Sequence, residues 1–358
     1  MAGKAEGAGI CGDTILSGVA KVAVKTIGLL SGGLDSTLAT RIMKKLGFDV
    51  LALNFMSPFC TCTRSDHGCK NEAKRLADEL GMKVRVEFMG EEYIDIVRNP
   101  KHGYGKNMNP CIDCRLMMFK RTKEIMEEEG AAFIFTGEVV GQRPMSQRED
   151  RMRMIERDSG LDGLIVRPLC AQLLPPTIPE KEGIINRDEM LAIRGRSRKE
   201  QIKIAKDDFG MTENLCSSGG CLLTDPGFAK KMKDLVTFDD SANVKAARLL
   251  RLGRHFRISD ELKLVVGRNE SENEKLLKIA APEDFIFYPT EISGPTAIAK
   301  GKLTREAVSM AGGITARYCS SVNGDPVRID YKNKGNDTIW SVLAKPVPEE
   351  KLSALRIG

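Results

Sequence analysis

The sequence predicts an α/β protein, a doubly wound parallel sheet followed by a second, smaller α+β domain. Three observations carry this expectation. From Lys25 onward, short apolar β-type runs alternate with stretches of helical periodicity, the pattern of a parallel sheet with crossover helices. A glycine- and serine-rich turn over residues 31–36 stands between the first such run and the first helical stretch, as it does where open α/β sheets bind anions. Near Thr237 the character changes, and compact β-like runs take over. The 358 residues also exceed the ~250 at which a single core usually stops growing. The expected division is a flexible leader over 1–24, an α/β domain over 25–236 and a smaller domain over 237–358.

Thr26–Leu30 reads as the first buried strand and Ser36–Leu46 as the helix that follows it. Val50–Phe55, the helix Cys69–Leu80 and the strand Lys83–Phe88 complete a βαβαβ opening. A further helix is expected over Cys114–Glu129, and Ala132–Thr136 reads as a strand entering the loop Gly137–Arg143. Between Gln147 and Gly195, Pro168, Pro175, Pro176 and Pro179 break any period, so an irregular insert is expected there. Ser197–Phe209 restores helical spacing. After Phe228–Leu235, Phe238–Asp240 reads as a linker to a short basic helix and the β-like runs.

Apolar residues at 42% and charged residues at 29% are ordinary for a globular chain and set aside global disorder. The stretch Ile15–Val24 is too short and interrupted to span a bilayer, and no other segment approaches the ~20 apolar residues a membrane helix needs. A cytoplasmic protein without a membrane partner is expected. The formal net charge of +6 admits a polyanionic partner without requiring one. Ten cysteines, several at close spacing, read in such a compartment as metal or redox sites before disulfides.

Ser31-Gly32-Gly33-Leu34-Asp35-Ser36 ends an apolar strand and opens a helix. Unpaired N–H groups and the helix dipole favour an anion there, and glycine lets the backbone approach it closely. Ser31 and Ser36 add hydroxyl donors, and Asp35 is placed to contact a magnesium ion bridging phosphates. The pattern resembles the SGGxDS signature of the PP-loop ATP pyrophosphatases and lacks the Gly-Lys-Ser/Thr ending of kinase-type loops. That resemblance spans roughly Lys25 to Lys230. It implies ATP cleavage between the α and β phosphates, with a substrate oxygen attacking the α-phosphorus. Asn54 and Phe55 fall where these enzymes hold adenine. Thr136-Gly137-Glu138, followed by Gly141 and Gln142, resembles the second nucleotide loop of tRNA thiolation enzymes; a strand end and a plain glycine turn are the ordinary alternatives.

Asn109-Pro110-Cys111-Ile112-Asp113-Cys114-Arg115 sets two thiols at the start of a helix, where the dipole favours thiolates. Cys216-Ser217-Ser218-Gly219-Gly220-Cys221 follows much later. The two segments resemble NPxxxCN and STGICF of tRNA 2-thiouridine synthetases, with Cys114 and Cys221 on that family's two cysteines and Cys111 where many members carry aspartate. Cys111, Cys114 and Cys221 together suit a 4Fe-4S cluster with one open iron, an arrangement similar to that of cluster-dependent tRNA thiolases. Zinc closed by Cys111, Cys114, Cys216 and Cys221, or a metal-free persulfide chemistry on Cys114 and Cys221, are the alternatives. Cys60, Cys62, His67 and Cys69 form a further group, read as a zinc-bound loop, a sulfur relay or plain loop thiols. For Cys11, Cys170 and Cys319 core packing is expected.

Lys245, Arg248 and Arg251, with Arg254 and Arg257 beyond, make a basic stripe that suits a phosphate backbone or a solvated helix face. Val266-Gly267-Arg268-Asn269-Glu270-Ser271-Glu272-Asn273, with Ile279–Phe287 and Gly294-Pro295, resembles the NFACT-R family, a small RNA-associated domain, over about Glu261 to Ala344. The resemblance implies RNA binding, for which Lys245, Arg248, Arg251, Arg254 and Arg268 are the candidates. Trp340 could stack on a base, but core packing is the expectation for it. Taken together, these motifs predict ATP-dependent tRNA thiolation. The catalytic residues would be Asp35, Cys114 and Cys221, and ATP would be held by Ser31, Gly32, Gly33, Asp35, Ser36, Asn54, Phe55, Thr136, Gly137 and Gln142. Sulfide or a cysteine desulfurase would supply sulfur, and a homodimer is compatible with this reading. A PP-loop amidotransferase or ligase acting on a small molecule, or a non-catalytic nucleotide-sensing RNA-binding protein, are the competing functions.

Overall fold

A computed structural model of the chain describes residues 23–61, 69–211, 220–320 and 324–358. Residues 1–22 of the leader, with Cys11, and Cys62, His67 and Cys216 lie outside them. Among the described residues no helix is long and apolar enough to cross a membrane.

The first sheet is all parallel. Its strands are β1 (Lys25–Leu29), β2 (Asp49–Met56), β3 (Lys83–Phe88), β4 (Phe133–Thr136) and β5 (Ile165–Val166), in the order β3-β2-β1-β4-β5. Residues alternate between its faces. Val50 and Ala52 face α1 (Leu34–Lys45), α2 (Cys69–Glu79) and α7 (Lys199–Asp207), while Leu51 and Leu53 face α4 (Cys111–Glu128) and α5 (Glu149–Ser159). Both faces are therefore covered, as the near-continuous apolar strands require. α3 (Glu91–Arg98) follows β3, and α6 (Ile178–Lys181) is a single capped turn.

The insert departs from expectation. Residues 149–159 form an eleven-residue helix and Ile165–Val166 extends the sheet. Seven of the eleven residues of Glu149–Ser159 are charged, and only Met152, Ile155 and Ser159 are buried. With so narrow an apolar stripe, its helix depends on docking to α4 and on Gly160, which ends it at φ 71°.

The second domain is a seven-stranded antiparallel sheet of β6 (Arg254–Ser259), β7 (Leu262–Val266), β8 (Phe285–Pro289), β9 (Ala297–Gly301), β10 (Val327–Asn333), β11 (Ile339–Ala344) and β12 (Arg356–Ile357), ordered β11-β10-β8-β9-β7-β6-β12. α11 (Arg305–Arg317) buries one face and α12 (Glu349–Leu355) joins its edge. α9 (Val244–Leu249) and α10 (Glu270–Ile279) cover Val265 and Ile298 on the other face. α8 (Pro226–Phe238), capped by Asp225 at 2.7 Å, leads into this domain. Trp340 is not core: it lies on edge strand β11, 41% exposed, tilted against Tyr331 at 5.6 Å. An edge strand lacks the outer neighbour that would cover it.

Candidate functional site

The carboxyl ends of β1 and β4 are adjacent at the point where the strand order reverses, the crevice in which open α/β sheets bind ligands. Residues 31–36 fill the end of β1. Gly32 takes φ 76°, which a side chain would resist. The Ser31 and Ser36 hydroxyls lie 3.0 Å apart, and the Ser36 hydroxyl donates to the Gly33 carbonyl at 3.0 Å. Because α1 has no side-chain cap at Gly33, its first N–H groups are left for an anion. Asp35 accepts from Gln142 Nε2 at 2.9 Å and has Arg198 at 3.6 Å. Its other oxygen, Oδ1, is buried with no hydrogen-bond partner.

The end of β4 presses directly on this loop. A Cβ on Gly137 would lie 2.5 Å from the Asp35 carbonyl carbon and the Ser36 nitrogen, so only glycine admits this approach. The cleft between the two ends is lined by Ser31, Asp35, Ser36, Phe55, Thr136 and Gly137, with Arg115 and Arg143 among the remaining walls. Asn54 lies beneath it, buried, and donates to the Leu30 carbonyl at 2.7 Å, tying β2 to the loop. Its neighbour Phe55 is the one that reaches the cleft.

Glu138 is buried against Arg167 at 3.1 Å and Arg115 at 3.2 Å. Burial alone would push its carboxyl up, but Arg115 and Arg167 outweigh it and hold it below the usual range. Arg167 also pairs with Glu156 of α5. This buried network anchors the loop after β4 and orients Arg115 at the cleft wall. Nothing in the spacing of Arg167 and Arg198 marks them in the sequence, and Arg115 appears there only as the end of the Asn109–Arg115 segment.

The thiols gather beside the cleft. Cys111 and Cys114 occupy the first turn of α4, behind Pro110, and Asp113 between them receives His102 through its N–H at 3.0 Å and its ring at 2.7 Å. Cys221 forms an antiparallel bridge with Cys60, just beyond β2. The four are close enough for Cys111 and Cys60 to act electrostatically on both Cys114 and Cys221. Burial pushes the Cys114 thiol up to about 11, against a hydrogen bond from the Tyr93 hydroxyl and the charge of Arg115. Burial likewise pushes Cys221 up to about 12. Cys111 is also raised by burial, with Arg143 and Arg115 opposing. The fold thus brings Cys111, Cys114 and Cys221 together and adds Cys60. Cys170 is fully buried and Cys319 packs on the second core.

The basic candidates separate. Arg251 donates to the Cys60 carbonyl, Arg254 lies over the Tyr318 ring at 4.3 Å, and Arg268 grips Glu272. Lys245 and Arg248 are exposed. A groove between the domains is lined by Met56, Pro58, Phe88, Arg248, Arg251 and Lys275, along the segment that carries Cys60. In Val266–Asn273, Asn269 caps α10, Glu272 accepts from Gly253 and Arg268 N–H groups at 3.1 Å each, and Asn273 accepts from Thr296 at 3.1 Å. These are structural clasps.

Comparison with known proteins finds a family match in each half of the chain. Residues 21–187 match the family model described as thiamine biosynthesis protein (ThiI), and residues 253–356 match that of the NFACT protein RNA binding domain. A probable tRNA sulfurtransferase of Methanothermobacter thermautotrophicus is 24% identical over 238 residues, 65% of this chain and 54% of that protein. The tRNA-specific 2-thiouridylase MnmA 1 of Caldanaerobacter subterraneus subsp. tengcongensis is 30% identical over 145 residues, 37% of this chain and 39% of that protein. A solved 4-thiouridine synthetase–RNA complex with bound ATP aligns at 20% identity and TM-score 0.35 over 60% of this chain and 50% of that one. The chain spans about half the length of the curated sulfurtransferase.

Proposed function

We propose that this chain, which joins a domain of the ThiI family to an NFACT RNA-binding domain, is an ATP-dependent tRNA thiolase. The observation that carries the reading is the gathering of four thiols within electrostatic reach of one another, with Cys111 and Cys114 also within reach of Arg115 at the wall of the phosphate-loop cleft. An amidotransferase needs no sulfur carrier there, and a nucleotide sensor needs no chemistry beside its loop.

ATP lies with its phosphates over residues 31–36, where the α1 N–H groups and the paired serine hydroxyls receive them. The orphaned Oδ1 of Asp35 fits a magnesium ion, which when bound neutralises the phosphates. A uridine carbonyl oxygen attacks the α-phosphorus and pyrophosphate leaves. Arg115 and Arg143 stand at the cleft wall, where charge shifts toward the leaving group. Sulfur then displaces AMP to give the thiocarbonyl. Among the described residues no group of three Cys, His, Asp or Glu side chains is set to hold a metal ion; what supports a cluster is the donor chemistry alone, three thiols being the ligand set of an iron–sulfur site. Cys111, Cys114 and Cys221 would hold it, and when bound a 4Fe-4S cluster with an open iron supplies a held hydrosulfide.

The 4-carbonyl is favoured, because the Thr136-Gly137-Glu138 loop is similar to that of 4-thiouridine synthetases. The RNA backbone follows Lys245 and Arg248 into the interdomain groove. The test is thiouridine formation with ATP, sulfide and tRNA, read by nucleoside mass spectrometry. Asp35→Ala is expected to abolish both thiolation and tRNA-dependent pyrophosphate release. Thiolation undiminished in Asp35→Ala, or AMP release driven by ammonia without tRNA, overturns the proposal.

A further inference from the structure

The two edges of the second sheet are built differently. One is β12, two residues long and led by Arg356. The other is β11, which runs Ile-Trp-Ser-Val-Leu-Ala over Ile339–Ala344 and pairs with β10 in unbroken register. It carries no charge, proline or bulge, the devices that keep an edge from pairing with another chain. Among the described residues no strand pairs with its outer side. Ile339 is 53% exposed and Leu343 72%, so the strand leaves large apolar side chains in water.

Side chains alternate along β11. Val342 and Ala344 turn toward α11, where a Cβ on Gly312 would meet both. Ile339, Ser341 and Leu343 therefore turn to the other face, across from Lys332, Asp330 and Arg328 of β10. On that face α9 and α10 cover Val265 and Ile298 but leave Ile339, Ser341 and Leu343 exposed. The flanks carry opposite charges: Asp337 lies as many residues before Ser341 as Lys345 lies after it, and both are exposed. The run is thus complementary to itself when reversed. A two-fold axis normal to the sheet keeps each face on its own side, so residues can oppose only others of the same parity. With Ser341 opposite the partner's Ser341, Ile339 meets the partner's Leu343, Trp340 meets the partner's Val342 and Asp337 approaches the partner's Lys345. Each of these pairs forms twice. Shifting the register by two residues either way sets Ile339 against Lys345 or Leu343 against Asp337.

We propose that β11 is a dimer interface whose occupant is the β11 of a second copy of this chain, paired antiparallel about Ser341 into one continuous sheet. Pairing satisfies the outer backbone groups of the edge and covers Trp340. The axis also leaves both α9 helices, with Lys245 and Arg248, on the same side of the joined sheet. The inference stands on the second domain alone and does not depend on the thiolation chemistry.

The experiment measures the full chain by sedimentation velocity over a concentration series, with Trp340, its sole tryptophan, as a fluorescence reporter. Wild type is expected to reach twice the mass of one chain, with emission moving to the blue as the dimer forms. Leu343→Lys sets a charge against the partner's Ile339 and should raise the dissociation constant at least about tenfold. Ser341→Cys tests the register. Opposed Cα atoms in antiparallel strands stand ~4.5–5.5 Å apart, within the ~4.4–6.8 Å that disulfides span. Mild oxidation should therefore link two chains through the introduced thiols, seen by mass spectrometry as one peptide joined to its own copy. A wild-type chain that stays monomeric up to its solubility limit, a Leu343→Lys chain that dimerises like wild type, or Ser341→Cys chains that join only through native cysteines overturn the proposal. So does a monomer whose tRNA affinity falls with Leu343→Lys, which would make β11 an RNA-stacking edge instead. If Leu343→Lys does not fold, judged by circular dichroism, the Ser341→Cys cross-link decides alone.

Discussion

Gly137→Ala isolates the contact on which the nucleotide site depends. The added Cβ would stand 2.5 Å from the Asp35 carbonyl carbon and the Ser36 nitrogen, and 2.6 Å from the Asp35 oxygen. Non-bonded carbon requires ~3.5 Å, so the two backbones must part by about 1 Å. Neither yields easily: Gly137 directly follows Thr136, which is in register with Leu29 of β1, and Asp35 lies in the first turn of α1. Displacing a positioning group by about 1 Å costs on the order of 10²-fold in rate, equivalent to about 2.7 kcal/mol of transition-state stabilisation. Overpacking at the fold level costs about 1–3 kcal/mol, which a domain of this size survives. The prediction is a folded protein whose kcat/KM for tRNA-dependent pyrophosphate release is about 100-fold below wild type, checked beside circular dichroism and ATP titration. Wild-type turnover in a folded Gly137→Ala chain would falsify the claim that the loop after β4 clamps the phosphate loop.

Further outcomes follow from the same geometry. Lys245→Ala with Arg248→Ala should weaken tRNA binding evenly across sequences and reduce the slope of log K against log salt by about 1 to 2; an unchanged slope would place the RNA elsewhere. Glu272 is held at about 2 by the Arg268 guanidinium first and then by two backbone N–H groups, against its burial. Its folded value lies below the ordinary one, so its stabilisation is full above about pH 4.5 and disappears as pH falls toward 2. Glu272→Gln should flatten the acid-side decline in the melting temperature of the second domain, and an identical pH profile would remove Glu272 from that role. The Cys114 and Cys221 thiols, at about 11 and about 12 through burial, are protonated at neutral pH, so metal or cluster uptake must expel protons. Anaerobic zinc or iron titration should tighten between pH 6.5 and 8.5 with proton release, and pH-independent affinity would show that these thiols are not the ligands.

Periodicity made the parallel sheet legible. Lys83–Phe88 was read with the bounds the structure gives, and the neighbouring strands differ by a residue or so, because apolar β-branched runs between glycine turns carry their own signal. The helix Glu149–Ser159 was not legible, since its docking to α4 decides a stretch that has little apolar face of its own. In the site, the phosphate loop and the two residues of α4 could be read because their chemistry is local in sequence. Cys60 against Cys221 could not, because a bridge between distant loops leaves no spacing to recognise. The converse also occurs: Arg268 and Glu272 stand out in the sequence, yet their contacts are caps and ion pairs that shape the turn before α10.

The second domain is joined to the thiols through packing as well as through chain connectivity. Phe59, next to Cys60, shares one core with Tyr93 of α3, Leu223 beside Cys221, Phe228 of α8 and Ala247 and Leu250 around α9. Arg98 donates to the Asp240 carbonyl at 2.7 Å and Glu91 accepts from the Val244 N–H at 2.8 Å, so the segment read as a linker is clamped to α3. The same Tyr93 whose ring lies in this core hydrogen-bonds the Cys114 sulfur. Movement of α9, the element that presents Lys245 and Arg248, is therefore resisted by the residues that position Cys60, Cys114 and Cys221. Close packing transmits such displacements because interiors contain little free volume to absorb them. On the proposed function, an RNA held on α9 would act on the geometry of the thiols through contiguous side chains. Substitution of Leu250 by alanine, which opens this core without touching nucleotide or thiol, should loosen the coupling between tRNA binding and the reactivity of Cys114 toward alkylating agents.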